Sequence, residues 1–141
     1  MNTNKKIKEL YNISFDLTDV PENEKYPMHD WYNDLINKTY NQINILDVTR
    51  MLIQKVFMEL AVSKAIYFIE ENSFCGQRYE GELLELLNKL DVNYLREYKL
   101  VLNEILLKAL DKNRIYEWLC EDERIEFSEL LKAFAKKVDT F

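Results

Sequence analysis

The residue types that support nucleophilic catalysis are scarce in this chain. It contains one histidine, His29, and two cysteines, Cys75 and Cys120. A catalytic thiol or hydroxyl needs a neighbouring base, which is most often a histidine. Neither cysteine lies in a recognisable catalytic motif, and a lone histidine beside Trp31 is more typical of a surface or capping position. The sequence does not exclude a catalytic pair formed by His29 and one of the two cysteines.

The sequence also lacks the motifs that bind metals and cofactors. Zinc sites need clustered cysteine and histidine ligands, and a di-iron helical bundle needs Glu-x-x-His twice. Two glycines cannot form a glycine-rich phosphate loop. Acid pairs at helical spacing, such as Asp30 with Asp34 and Glu82 with Glu85, are typical of solvated helix faces. We therefore predict no cofactor, no metal site and no catalytic residues, and hence a protein that is not an enzyme.

Acidic residues dominate the charge of the chain. The formal net charge is −6 and the sequence pI is about 4.9. Such a protein is repelled by nucleic acid and by anionic lipid, and it is attracted to basic protein surfaces. The acids concentrate in three segments, residues 14–34, 70–86 and 115–130, each of which contains a single Lys or Arg. Either these segments are three solvated surfaces, or one of them is a docking face for a basic partner.

Aromatic side chains accompany the first two acidic segments. Tyrosine and tryptophan beside charged residues are frequent in tight protein interfaces. The predicted partner-binding residues are Asp16, Asp19, Glu22, Glu24, Asp30, Trp31, Asp34, Tyr79, Glu80, Glu82 and Glu85. We therefore predict that the protein binds another protein, and that it neither binds nucleic acid directly nor associates with a membrane.

The elements that hold these residues are predicted to be helices. With 141 residues the chain is expected to form one domain over residues 1–141. Only two glycines and two prolines leave few corners, which favours long helices. The stretch from Asp47 to Glu71 contains neither residue type, and it is apolar on most sides of a helical projection. The sequence thus predicts an all-α, single-domain bundle of about five to seven helices around a central helix near residues 47–71.

Helical periodicity is clearest in the second half of the chain. The predicted core positions are Leu83, Leu84, Leu87 and Leu90, then Tyr94, Leu95, Tyr98, Leu102, Ile105, Leu106 and Ala109, and finally Phe127, Leu130, Leu131, Phe134 and Val138. The segment IYEWLC before the last helix is predicted to supply Ile115, Trp118 and Leu119 to the core. Residues 13–17, ISFDL, alternate like a strand and are predicted to form an extended segment. Whether that segment joins a partner's sheet is left open.

The run VTRMLIQKVFMELAVSKAIYFIEENSFCGQRYEGELLELLNKL, with the later IYEWLC, resembles a small helical immunity protein. Proteins of this kind are encoded beside the polymorphic toxin of a bacterial contact-dependent growth inhibition system. The resemblance covers most of the chain from about Trp31 onward. Because these proteins share no defining motif, no functional residue can be assigned by position.

The resemblance implies a partner and a mode of action. Immunity proteins of this kind bind a cognate toxin domain and block its active site or substrate surface. Many such toxins are nucleases, often RNases that act on tRNA, and they are basic because their substrate is anionic. The alternative is an acidic helical regulatory or scaffold protein that binds a partner protein. The sequence leaves the number of subunits open.

The compartment is predicted to be the cytoplasm. The stretch MNTNKKIKEL has no apolar core of signal-peptide length. The two cysteines, which have no paired spacing, are typical of free thiols in a reducing environment.

Overall fold

The computed structural model describes residues 4–13 and 27–141, and these ranges are all-α, as predicted. Their seven α-helices, within the predicted number, are α1 (Ile7–Leu10), α2 (Pro27–Ile36), α3 (Ile45–Gln54), α4 (Met58–Glu71), α5 (Glu82–Asn88), α6 (Lys99–Asn113) and α7 (Glu121–Val138). Three 3₁₀ turns lie at Tyr40–Gln42, Val92–Tyr94 and Arg96–Tyr98. Apart from Ile13, the segment predicted to be extended lies outside the described residues. Internal contacts divide the chain into two compact units, Met1–Asp47 and Val48–Phe141.

The first unit is organised around the carboxylate of Asp47, which is 3% exposed. This carboxylate accepts hydrogen bonds from the Trp31 indole at 3.1 Å and from the Lys38 ammonium at 2.6 Å. It also accepts from the backbone N–H of Asn44 at 3.1 Å, while the Asn44 side chain accepts from the Asp47 N–H at 2.8 Å. This reciprocal pair caps the start of α3. Asp47 therefore fixes both the helix start and the indole of Trp31.

The predicted continuous helix over residues 47–71 is wrong, because the chain breaks between α3 and α4. Lys55 and Phe57 have φ angles of 57° and 47°, in the left-handed region. The N–H of Val56 donates to the carbonyl of Met51 at 2.9 Å, which is the closing bond of a Schellman motif with Lys55 in the position usually held by glycine. Each left-handed residue with a side chain costs about 1–2 kcal/mol. The residues before and after the break, Met51 and Met58, are buried, so packing outweighs the local preference.

The second unit is built from α4, α5, α6 and α7. The apolar residues of α4 are buried over most of its circumference: Met58, Leu60, Ala61, Val62, Ala65, Ile66 and Ile69. The predicted core faces are confirmed for α5 at Leu83, Leu84 and Leu87, for α6 at Leu102, Ile105, Leu106 and Ala109, and for α7 at Phe127, Leu131, Phe134 and Val138. The prediction for Tyr94 is wrong, because this residue ends a 3₁₀ turn before α6 begins and its side chain is 41% exposed. Helix α7 packs against both α6 and α5. This packing sets the relative positions of α5 and α7, between which the candidate site lies.

The end of α5 is tied to the end of α7 by one side chain. The ammonium of Lys137 donates to the carbonyls of Asn88 and Leu90 at 2.5 Å each. A cation at the carboxyl end of a helix satisfies the carbonyls left without intrahelical partners. In the described ranges, no helix has the length and apolarity that a membrane span requires.

Candidate functional site

A groove of about 890 Å³ lies between α5 and α7 in the second unit. Its rim includes the turn before α5 and the segment of residues 117–119 that precedes α7. Five carboxylates line it: Glu80, Glu85, Glu117, Glu123 and Glu126. Among the described residues that line the groove, one is a cation, Lys89. The fold therefore joins two of the three acidic segments of the sequence into one concave acidic surface.

Two of these carboxylates are held in place by tyrosine hydroxyls. Tyr79 donates to Glu85 at 2.8 Å, and Glu85 also pairs with Lys89 at 3.2 Å. Burial, followed by the hydrogen bond to Glu85, raises the pKa of Tyr79 to about 12. Burial and then a hydrogen bond to Glu80 raise the pKa of Tyr116 to about 12. Both phenols consequently remain neutral donors at physiological pH, and they orient the two carboxylates.

The other three carboxylates are available to a partner. Glu117 and Glu126 are exposed and Glu123 is half-buried. In the part of the chain that the structure describes, no Lys or Arg forms an ion pair with any of them. Like charges that face one another across a partly desolvated concavity produce a stronger field than the same charges on a convex surface. The groove is thus predisposed to accept cations.

The segment before α7 is anchored by Arg124 and Asn113. The guanidinium of Arg124 donates to the Asn113 carbonyl, to the Tyr116 carbonyl at 2.9 Å and to the Glu121 carboxylate at 3.1 Å. The Asn113 side chain, which is buried, donates to the Arg124 carbonyl at 3.1 Å and accepts from the Trp118 indole at 2.7 Å. One guanidinium and one amide therefore hold both ends of the loop between α6 and α7.

Four stacked and edge-packed rings complete this anchor. Phe74 stacks on Tyr116 with ring centres 3.9 Å apart, and it meets Phe127 edge-on at 5.1 Å. The Trp118 ring packs edge-on against Tyr116 at 4.8 Å and against Phe127 at 5.4 Å. Aromatic pairs in these geometries each add about 0.5–1.5 kcal/mol beyond the area that they bury. The loop backbone is accordingly held on one side by a rigid aromatic floor.

The prediction that Ile115 and Leu119 enter the core is wrong. Their side chains are 84% and 97% exposed, whereas the ring of Trp118 packs inward, as predicted, together with that of Tyr116. The carbonyl of Tyr116 accepts from the N–H of Trp118 at 3.1 Å, which makes a three-residue turn centred on Glu117. Exposure in this loop therefore changes from one residue to the next. The prediction failed because it assumed the spacing of a helix.

Glu82 does not belong to a contact surface, which corrects the sequence prediction. Its side chain is fully buried. One carboxylate oxygen accepts from the backbone N–H groups of Gln77 and Arg78 at 2.9 Å each, and the other accepts from the Arg78 guanidinium. Burial alone raises the pKa of Glu82, but donation from the Arg78 backbone, the Arg78 side chain and the Gln77 backbone together lower it below its usual range. Glu82 is a charged support for the turn of residues 74–82.

Gly76 lets this turn close. A Cβ atom at this position would lie 2.1 Å from the carbonyl oxygen of Tyr79 and 2.7 Å from the Cβ of Glu82. The N–H of Gly81 donates to the Phe74 carbonyl at 2.8 Å and its φ is 84°, so a second glycine completes the turn. Tyr79 and Glu80 directly precede Gly81, so the turn places both residues at the groove rim.

The other predicted contact residues fall in different places. Tyr79, Glu80 and Glu85 line the groove. Asp30 and Asp34 are exposed on α2, and the half-buried Trp31 donates its indole N–H to Asp47. Asp16, Asp19, Glu22 and Glu24 lie outside the described residues.

Sequence reasoning missed the groove residues on the α7 side. Glu117, Trp118, Leu119, Glu123 and Glu126 all line it. The acid-rich segment 115–130 was the available signal. What the sequence lacked was the packing of α5 against α7, which brings residues about 40 positions apart to the two walls of one groove.

The chemistry of the described residues gives no metal centre. They include no group of three or more His, Cys, Asp or Glu side chains that could hold a metal ion. Both cysteines are free thiols. Burial, opposed by a backbone hydrogen bond, raises the pKa of Cys75 to about 11. This thiol therefore stays protonated and is a poor nucleophile at neutral pH.

The fold and the groove define a small all-α protein with an acidic, aromatic-lined concavity. The chain belongs to the family of CDI immunity proteins, the immunity proteins of contact-dependent growth inhibition, whose model matches residues 9–105. The resemblance seen in the sequence is thereby confirmed. Proteins of this family neutralise a cognate toxin by binding it, and they are typically not enzymes. Comparison with curated proteins and with solved structures gives no match.

Proposed function

We propose that this protein neutralises a basic nuclease toxin, of the RNase or tRNase type, by covering its active site or substrate surface with the acidic groove. The observation that carries the proposal is the convergence of five carboxylates on one concavity. A nuclease presents clustered Lys and Arg side chains because its substrate is a polyanion. The groove offers the same charge as that substrate, in a rigid form.

The field of the groove governs which partners approach. Opposite charges on two facing surfaces raise the association rate and reject partners of the wrong sign, more than they add affinity. The same field repels nucleic acid and anionic lipid, so the proposal includes no direct binding of either. Binding is expected to be one-to-one and to take place in the cytoplasm.

Aromatic side chains at the groove supply part of the affinity. Tyr79 is 45% exposed beside Glu85, and Trp118 is half-buried on the opposite wall. Tyrosine and tryptophan dominate the energetics of protein interfaces because each buries a large rigid surface at small entropic cost. Asp30 and Asp34 on α2, and Trp31 between them, are proposed as further contacts.

The test uses the toxin domain encoded by the neighbouring gene. Binding is followed by stopped-flow kinetics and calorimetry at two salt concentrations, and protection is followed by co-expression. A triple variant, Glu117→Gln with Glu123→Gln and Glu126→Gln, removes the three groove carboxylates that, among the described residues, are bound neither by a cation nor by a tyrosine hydroxyl. We expect its association rate at low salt to fall roughly tenfold or more, with a shallower salt dependence.

A matched control removes the same charge elsewhere in the second unit. Glu59, Glu71 and Glu97 are exposed and do not line the groove. Their triple change to Gln is expected to keep the association rate within about threefold of the natural protein, because distant exposed charges are screened. An equal loss in both variants would assign the effect to net charge and would contradict the groove as the docking site. A natural protein that does not bind the toxin would sink the proposed function.

A further inference from the structure

The loop of residues 115–119 combines strong exposure with strong anchoring. Leu119 is 97% exposed and Ile115 is 84% exposed, although both are large aliphatic side chains. On a mobile loop, exposed aliphatic side chains can turn toward the protein in some conformations. Here the backbone is fixed by Arg124 at the carbonyls of Asn113 and Tyr116, and the Trp118 indole is bound to Asn113 at 2.7 Å. The structure therefore holds these two side chains in water.

We propose that Leu119 and Ile115 form a preformed apolar anchor that enters an apolar depression on the toxin, next to its basic surface. This inference rests on the proposed function and names a second feature of the partner. Fixing the loop backbone in its bound conformation removes an ordering cost that binding would otherwise include. A rigid loop that presents two aliphatic side chains, one of them lining the acidic groove, is consequently suited to a partner.

The charge around the anchor identifies the occupant. Leu119 lines the acidic groove, and Glu117 lies between Ile115 and Leu119 in the loop. A surface that covers Leu119 therefore also meets the groove carboxylates, and a surface that carries cations is favoured there. A second copy of this acidic chain would bring carboxylates against carboxylates. The anchor is continuous with the groove, so the basic partner proposed for the groove is the partner that fits the loop.

The groove and the anchor are expected to act on different rate constants. Charges act over distance and set the association rate, whereas apolar contacts form only after docking and set the dissociation rate. Removing the anchor should therefore leave the approach of the toxin unchanged and shorten the lifetime of the complex. This division distinguishes the inference from a general loss of binding.

The test compares two pairs of exposed aliphatic residues in the same unit. The anchor variant carries Ile115→Ser and Leu119→Ser. The control carries Leu100→Ser and Leu107→Ser on α6, whose side chains are 82% and 69% exposed and do not line the groove. Thermal unfolding checks that both variants are folded, as expected for substitutions of exposed side chains. Kinetics with the toxin domain are then measured at two salt concentrations.

The anchor variant is expected to dissociate roughly thirtyfold faster, with an association rate within about threefold of the natural protein and an unchanged salt dependence. The control pair is expected to leave both rate constants within about threefold. A natural protein that binds the toxin while the anchor variant dissociates at the natural rate would overturn the inference and leave the proposed function intact. Equal acceleration in the control pair would overturn it too. If the natural protein does not bind the toxin, the proposed function itself is contradicted.

Sedimentation of the protein alone provides the remaining outcome. If the natural chain is a dimer that becomes monomeric with Leu119→Ser, the loop serves self-association and the inference is overturned. If Leu119→Ser leaves the sedimentation unchanged, the loop does not mediate self-association, as expected for an anchor that binds the toxin.

Discussion

Glu82 and Glu85 lie one turn apart on α5 and meet opposite surroundings. The carboxylate of Glu82 is fully buried and accepts hydrogen bonds from two backbone N–H groups and a guanidinium. The carboxylate of Glu85 lies at the groove, where it is bound by a phenol and an ammonium. The chain folds back over one acid and leaves the other at its surface. Both residues are glutamates on the same helix, so the difference comes from the donors that the turn of residues 74–82 delivers.

This contrast separates acids that build the protein from acids that are available to a partner. A buried carboxylate is tolerated when donors replace the water that it lost. Exposed carboxylates in a groove repel one another and contribute little to stability, and a partner with cations relieves that repulsion. The number and kind of donors around an acid are therefore a better guide to its role than the local density of acids in the sequence.

The largest expected effect on stability comes from Glu82→Ala. The change leaves the backbone N–H groups of Gln77 and Arg78 without an acceptor and opens space beside them. We expect a loss of about 3 kcal/mol in the free energy of unfolding, measured by urea denaturation. Glu85→Ala, one turn later, is the matched control and should cost less than about 1 kcal/mol. Similar losses of unfolding free energy in the two variants would contradict the structural role that distinguishes Glu82 from Glu85.

A second effect tests the closure of the turn around Glu82 without altering a charge. Gly76→Ala would place a Cβ atom 2.1 Å from the Tyr79 carbonyl oxygen, so the turn must shift away from the carboxylate. We expect a loss of about 2 kcal/mol by the same urea assay, within the range found for overpacked sites. Gly81→Ala, where the added atom meets the Phe127 ring at 3.7 Å and φ is 84°, should cost about 1–2 kcal/mol from backbone strain alone. An unchanged free energy of unfolding in Gly76→Ala would contradict the close approach of Gly76 to Tyr79 and Glu82.

The pH dependence of stability gives a third comparison. Since donors lower the pKa of Glu82 in the folded state, its contribution is fully present above the unfolded pKa of about 4.3 and is lost as pH falls through the folded value. The stability advantage of the natural protein over Glu82→Gln should therefore be constant near neutral pH and should narrow under acid conditions. Urea denaturation at a series of pH values measures this difference. An advantage that grows on acidification would require a raised pKa instead.

The smallest expected effect on stability belongs to the groove. The triple change of Glu117, Glu123 and Glu126 to Gln relieves repulsion but removes an acid from the first turn of α7, where the helix dipole favours it. These effects oppose each other, and we expect the free energy of unfolding to stay within about 0.5 kcal/mol of the natural value. The same variant should bind the toxin more slowly. A loss of stability as large as that of Glu82→Ala would show that these acids support the fold.

Periodicity in the sequence predicted the helical faces that the structure buries. In α7, Phe127, Leu131, Phe134 and Val138 are buried, and Leu130 at the edge of the same stripe lines the groove. These faces follow from local spacing, because residues three and four apart share one side of a helix. The all-α class followed in the same way from the scarcity of glycine and proline.

The features that were predicted wrongly depend on turns and on side-chain packing that helical periodicity does not describe. The break between α3 and α4 falls at Lys55 and Phe57, where neither glycine nor proline marks a turn. Leu119 is exposed, whereas the rings of Tyr116 and Trp118 in the same loop pack against Phe74, which lies about 40 positions earlier in the chain. At the break, each left-handed residue costs about 1–2 kcal/mol, which the burial of Met51 and Met58 offsets.

By itself the sequence determined the class of the protein: its helices, its acidic charge and its likeness to immunity proteins, because these depend on composition and short-range pattern. Tertiary structure decided which acids are structural and which are open to a partner. Glu80 and Glu123 lie far apart in the chain and line one groove, while Glu82, two residues from Glu80, is enclosed. Hydrogen-bond donors and neighbouring helices are brought to a side chain by the whole fold. The chemistry available to each carboxylate is therefore a property of the folded chain.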